Sequence, residues 1–348
     1  MEMKDNIRKK HIELVRVLAI CLVVFHHTDI CYGVYHNSDN PVAYALSLFV
    51  TVLCNVDVPL FFIVSGYLLL NKEESIRDLF KKRVSRMLMV LIIFSVIMYV
   101  FWVLRGTIET PSVGDFLNRL YTGDIQGTYW FLYSYIGFLL ISPFLRMIVS
   151  RIKLNEYFYF FIFMIVLEIV YMIGDGTGVK PSVDFRSIVR SVSEYSFFAI
   201  SGGVFKKYEK ELETMFKTKY VIWATAFSIL TPMLIVSISL LSGNGYAEWG
   251  RSAFSTLLGL SLYFVIHKLV HAHAESKILG FLARGGKYVF AVYLIEQLMR
   301  SLYLIPYKHM LEILPATVVE FMYGSIAIVT GFCVAFVLKK IPGIKKLL

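Results

Sequence analysis

The chain has 348 residues, 57% of them hydrophobic and 17% charged, with a mean hydropathy of +0.66. Soluble domains carry about 45–50% apolar residues and about 25% charged ones, so this composition excludes an ordinary soluble domain. The net charge of +10 is read as basic loops on the inner side of a membrane, and no nucleic-acid partner is expected.

Apolar runs of about 20 residues recur along the chain, the length that crosses a ~30 Å hydrocarbon core. They predict an all-α, polytopic membrane protein with ten spans. Their places are about 12–31, 43–70, 87–105, 129–149, 155–174, 188–205, 220–242, 252–271, 286–305 and 317–338. The basic N-terminus MEMKDNIRKK is followed by a run containing Arg16, His26 and His27 without an A-x-A-like site. That run is read as an uncleaved first span and not a signal peptide. Of the 35 Lys and Arg residues, 26 fall in the inner segments and 8 in the outer ones if the N-terminus is inside. This bias predicts a multi-pass protein with both termini in the cytoplasm. No loop is long enough for a soluble core, so residues 1–348 form one transmembrane domain and its chemistry lies in or at the membrane.

Ionisable residues inside spans are costly and usually face the bundle interior or a water-filled cavity. In span 1, Arg16 and His27 are eleven residues apart, close to three full turns, so they share a face about 16 Å apart along the axis. His26 points about 100° away. In span 2, Asp57 falls at roughly the depth of His27. A carboxylate there suits the second ring N–H of a histidine, or a pairing with Arg or Lys elsewhere. Ser65 and Gly66 are small residues that allow close helix approach. Entering span 3, Arg83 and Arg86 neighbour each other on one face and suit bidentate phosphate contacts, although inner-loop bias also places basic residues here.

The loop 206–219, KKYEKELETMFKTK, reads as an interfacial helix. Glu168, Glu194 and Glu296 are candidate site acids or arginine partners. His267 and His271 form an i, i+4 pair, but without a nearby carboxylate in the sequence they are read, with His273, as solvated loop residues, and no metal is expected. The four cysteines have no zinc-type spacing and read as buried thiols without a disulfide framework.

LVRVLAICLVVFHH resembles the first-span signature of the acyltransferase-3 membrane family, with Arg16 and His27 at its arginine and histidine. VPLFFIVSGYLLL is similar to the family's second-span segment through Phe61, Phe62, Ser65 and Gly66. Arg83-Val-Ser-Arg86 resembles its R-x-x-R pair, TYWFLYSYIGFLLISPFLR its W-F-L segment with Trp130 as the aromatic, and GKYVFAVYLIEQL its late-span segment. That late segment usually carries a histidine after Y-L-I, and here Glu296 stands in its place.

The resemblance implies an O-acyltransferase of the stand-alone type. It would move an acyl group, usually acetyl, from cytoplasmic acyl-CoA to a hydroxyl of an envelope glycan or lipid-linked sugar. Acetyl-CoA is then the expected donor, and membrane lipids surround the protein. Arg83 and Arg86 would meet the CoA phosphates, and Arg16 the pantetheine or a phosphate slightly deeper. His27, oriented by Asp57, would act as general base on the acceptor hydroxyl or carry the acyl group covalently. Trp130 and Glu296 are the expected substrate contacts. A transporter or flippase for a surface-polysaccharide intermediate is the alternative, since polar residues inside a bundle suit that as well.

Overall fold

The computed structural model describes residues 2–31, 40–177, 185–242 and 251–348. Among these residues the fold is helical throughout, with no strand. The helices are α1 (Glu2–His26), α2 (Pro41–Cys54), α3 (Asp57–Leu69), α4 (Ile76–Leu79), α5 (Ser85–Leu104), α6 (Val113–Thr122), α7 (Trp130–Arg151), α8 (Leu154–Thr177) and α9 (Phe185–Lys207). They continue with α10 (Glu209–Met215), α11 (Thr218–Leu241), α12 (Ser255–Ala272), α13 (Lys277–Ala283), α14 (Val289–Leu302), α15 (Leu304–Leu311), α16 (Ala316–Leu338) and α17 (Pro342–Leu347).

Among the described residues, seven stretches are long and apolar enough to cross a membrane: Pro41–Leu69, Ile76–Leu104, Gly127–Arg151, Thr218–Leu241, Ser255–Ala272, Lys277–Leu302 and Ala316–Leu338. The other three predicted spans coincide with α1, α8 and α9, which are 25, 24 and 23 residues long. Length admits them at 1.5 Å per residue, and they are not among the seven. On α5, Leu88, Met89, Ile92, Ile93, Val96, Ile97 and Val100 lie exposed together. An apolar surface of this extent belongs against lipid and not water.

Three local features position the interior. The second span breaks at Asn55 and Val56, so that Asp57 opens α3 and Pro59 sits in its first turn, where a missing N–H leaves no helical bond unmade. The positive end of α3 therefore faces the Asp57 carboxylate. Span 3 enters through a π-helical turn, Phe80–Val84, which contains Arg83; such turns recur at functional sites. Thirdly, α3 packs directly on α9 through glycine. A Cβ on Gly66 would fall on the carbonyl of Ala199, and one on Gly202 on the carbonyl of Ile63. The close approach expected at Gly66 is thus matched by a glycine on the facing helix.

The charged loop after α9 carries the seven-residue α10, whose Leu212 is buried. His267 lies inside α12 and is 5% exposed, so it is a buried helical residue and not part of a solvated loop. His271, on the same helix, is exposed. The four cysteines form no disulfide. Most of the predicted outer loops 175–187 and 243–251 lies outside the described residues.

Candidate active site

Helix α1 carries Arg16, and the amide of His27 still donates to the Val23 carbonyl at 3.2 Å, so the helical phase runs on to His27. Arg16 donates through Nη1 to Glu13 Oε2 at 2.9 Å. Glu13 packs against Gly286, where a Cβ would collide with its carboxylate. The glycine of the late-span segment therefore makes room for the acid that holds Arg16.

The two histidines have different carboxylates. His26 Nδ1 is 2.8 Å from Asp57 Oδ2. His27 Nδ1 is 2.9 Å from Glu296 Oε1, although the ring N–H is not well aligned with that oxygen. The expected orientation of His27 by Asp57 is corrected accordingly: Asp57 reaches His26, and Glu296 faces His27. Depth along a helix fixes the axial level of a residue but not the side it faces. The 100° between successive residues turns His26 toward α3 and His27 toward α14.

Glu296 is fully buried. Its other oxygen, Oε2, accepts from Arg300 Nε at 2.9 Å, and Arg300 also donates to the His27 carbonyl and the Gln297 side chain. One guanidinium thus holds the backbone of His27 and the carboxylate facing its ring. A carboxylate only accepts, so the tautomer consistent with this contact carries the proton on Nδ1 and leaves Nε2 as the basic nitrogen. The charge of Arg300 balances that of Glu296, so the buried group is not a lone anion, which would carry a large desolvation penalty. Arg300 is one of the 8 basic residues that the charge bias places on the outer side. Its spacing of four from Glu296 was the signal of a shared helix face.

A cavity of about 370 Å³ opens beside this array. Arg16, Lys82, Arg83 and Arg86 line it together with Ser65 and the aromatic residues Phe61, Phe131, Tyr135 and Tyr293. Tyr293 lies three residues before Glu296 on α14, about 4.5 Å along the axis. Helix α14 therefore contributes to the cavity a residue one turn before the one that faces His27.

The cations of the cavity are already partly engaged. Arg83 Nε donates to both oxygens of Glu74 at 2.8 and 3.0 Å, and Arg146 Nη2 donates to the same carboxylate at 2.7 Å. Burial alone would raise the Glu74 carboxyl, but hydrogen bonds and charge from Arg146 and Arg83 outweigh it and hold it below the usual range. Arg86 Nε donates to the Leu347 carbonyl at 3.1 Å, and Lys82 pairs with Asp78 at 3.0 Å. Arg83 and Arg86 do share one wall, as their spacing suggested.

Trp130 is 42% exposed at the start of α7 and lies 5.8 Å from the Tyr195 ring. Its neighbour Phe131, not Trp130, lines the cavity. Glu168 accepts from the Ser255 hydroxyl at 2.7 Å and the Thr256 amide at 3.3 Å. It caps α12 and is not grouped with the histidines. The side chain of Glu194 lies outside the described residues. Beyond His27 sits a further polar group that the sequence did not flag: the Tyr307 hydroxyl contacts Asp29 Oδ2 at 3.2 Å and buried Glu320 Oε1 at 2.5 Å.

A family model described as an acyltransferase domain matches residues 9–340. The chain belongs to the acyltransferase-3 family. No curated protein and no solved structure matches it. Family membership over nearly the whole chain makes this protein a membrane acyltransferase, a transferase of groups other than aminoacyl groups. In this acyltransferase-3 chain, Arg16 of the first-span signature lines the cavity, and His27 faces Glu296 on α14, the helix whose Tyr293 also lines it.

Proposed function

We propose that this acyltransferase moves an acetyl group from cytoplasmic acetyl-CoA to a hydroxyl of an envelope glycan or a lipid-linked sugar, within the bacterial plasma membrane. The observation that carries the reading is the His27–Glu296 contact of 2.9 Å, its acid one helical turn after a residue of a cavity lined by four cationic side chains.

The cavity suits the donor in kind. Its basic side chains answer the phosphates of CoA, and its aromatic and aliphatic walls suit a narrow, mostly uncharged arm. The roughly 16 Å between Arg16 and His27 is comparable to an extended pantetheine. With the N-terminus in the cytoplasm, Arg16 lies on the donor side and His27 toward the acceptor.

Acyl transfer to an alcohol needs a base at the hydroxyl. His27 Nε2 takes the hydroxyl proton as the oxygen attacks the thioester carbonyl. The carbon–sulfur bond breaks, and the imidazolium returns the proton to the departing thiolate. Glu296 stabilises that imidazolium through Nδ1–H, and Arg300 holds the other carboxylate oxygen. Asp57 and His26 form a second pair beside the first, the two imidazole rings standing 6.2 Å apart.

The test is direct. Purified protein is incubated with acetyl-CoA labelled in the acetyl group, with and without a membrane extract as the acceptor source. Release of CoA together with label in a base-labile glycan or lipid fraction is expected. A protein that neither binds nor consumes acetyl-CoA would overturn the proposal and favour transport.

A further inference from the structure

Away from the acyl-transfer array, three metal-ligating side chains converge from two helices far apart in sequence. Helix α12 supplies His267 and His271, which are four residues apart and share a face. Their rings lie 4.3 Å apart and only 33° from parallel. Helix α10 supplies Glu213. Its Oε1 is 3.4 Å from His267 Nε2 and 3.7 Å from His271 Nε2. The three donor groups lie within 4.8 Å of one another.

These distances are long for hydrogen bonds, which run at about 2.7–3.2 Å. They suit coordination instead. Two ligand atoms, each about 2.1 Å from a tetrahedral ion, stand about 3.4 Å apart. The two helices are already held in register without an ion, because Lys268 Nζ donates to the Glu213 carbonyl at 3.1 Å. Closing the three ligands on a cation asks for side-chain adjustments and no rearrangement of the backbone.

We propose that Glu213, His267 and His271 bind a divalent transition-metal cation, with zinc the best fit. Two imidazoles and one carboxylate favour a borderline metal over calcium or magnesium, which take oxygen ligands. The geometry leaves a fourth position to water. His267 anchors the site, its side chain 6% exposed, while His271 and Glu213 are 43% and 39% exposed and provide the entry path. Near it, the His11 ring of α1 stands edge-on to His267 at 5.0 Å. A bound ion would thus join α10 to α12 directly, and stiffen through His11 the base of the helix that carries Arg16 five residues later.

The experiment uses full-length protein in detergent, with an affinity tag that contains no histidine, stripped by a chelator and titrated with Co²⁺ as a visible stand-in for zinc. One equivalent of Co²⁺ is expected to give the d–d absorption of a four- or five-coordinate site and to be displaced by one equivalent of Zn²⁺. Glu213→Gln and His271→Gln should each weaken Co²⁺ by about tenfold or more, since loss of even a residue that only orients a ligand costs about 10–100-fold. Both side chains are partly exposed, so elution of the variants on size exclusion should match the wild type. Acetyl-CoA turnover by the metal-free variants should also equal that of the metal-free wild type. The absence of a saturable Co²⁺ signal in the wild type would overturn the assignment, as would unchanged affinity in the Glu213→Gln/His271→Gln double variant.

Discussion

His27 and Glu296 meet at 2.9 Å between α1 and α14, and Arg300 binds both the Glu296 carboxylate and the His27 backbone. This links the proposed base to a buried carboxylate through residues from opposite ends of the chain. Replacing His27 by Ala should lower acyl transfer by about 10²–10⁴-fold, the usual contribution of a general base, with membrane expression unchanged. Glu296→Gln should lose a smaller part of kcat and leave donor KM in place. Turnover assays on purified variants check both, and full activity in His27→Ala would remove it from the mechanism.

The partners of the two histidines can be separated by coupling. Asp57 contacts His26 and not His27, so the losses from His26→Ala and Asp57→Asn should be non-additive. Residues in contact show interaction energies of about 0.5–3 kcal/mol. The same cycle run on Asp57 and His27 should show less coupling. The opposite ranking would restore the pairing suggested by depth alone.

At the cavity, Arg83 and Arg86 are expected to act on donor binding. Hydrogen bonds to charged groups contribute about 1.5–3 kcal/mol. Arg83→Ala and Arg86→Ala should each raise the KM for acetyl-CoA about tenfold or more, with a smaller effect on kcat. An unchanged KM in the double variant would remove both from the donor site.

Glu74 holds Arg83 and Arg146 together, and Glu74→Gln should destabilise the protein by about 1–2 kcal/mol, the lower end of the range for hydrogen bonds to charged groups because the site is only half-buried. Its carboxyl lies below the usual range because the two arginines outweigh burial. The contribution is therefore present above the ordinary carboxylate value near pH 4.3 and is lost as pH falls through the depressed value. Thermal melts from pH 7 downward should show the wild type and Glu74→Gln converging on acidification.

The α3–α9 contact makes a structural prediction. Gly66→Ala and Gly202→Ala each place a methyl group on facing backbone, where no side chain can move aside. Overpacking usually costs about 1–3 kcal/mol, and a backbone obstacle puts these variants at the upper end. A lower melting temperature in detergent, with Gly137→Ala as a control in open space, checks this.

Much of this was legible in the sequence for a definite reason. Hydrocarbon is an exacting solvent: apolar runs of spanning length must be helical because every backbone group has to be bonded within the segment. The helical class, the shared face of Arg16 and His27 and the neighbouring Arg83 and Arg86 follow from that constraint and from helical periodicity. Motif order then pointed to the family. Pairing between distant segments follows from none of these. Asp57 and Glu296 both lie at reachable depths, and only the packing of α3 and α14 around α1 decides which histidine each one meets. The same holds for Arg300, whose charge reads as an outer basic residue until Glu296 is found beside it. It holds as well for His267 and His271, which lack an acid until α10 brings Glu213 across. The arginine and histidine of the first helix were determined by the sequence as a polar face in an apolar helix; their partners were decided by tertiary structure, because helix rotation and packing, not depth, select which side chains touch.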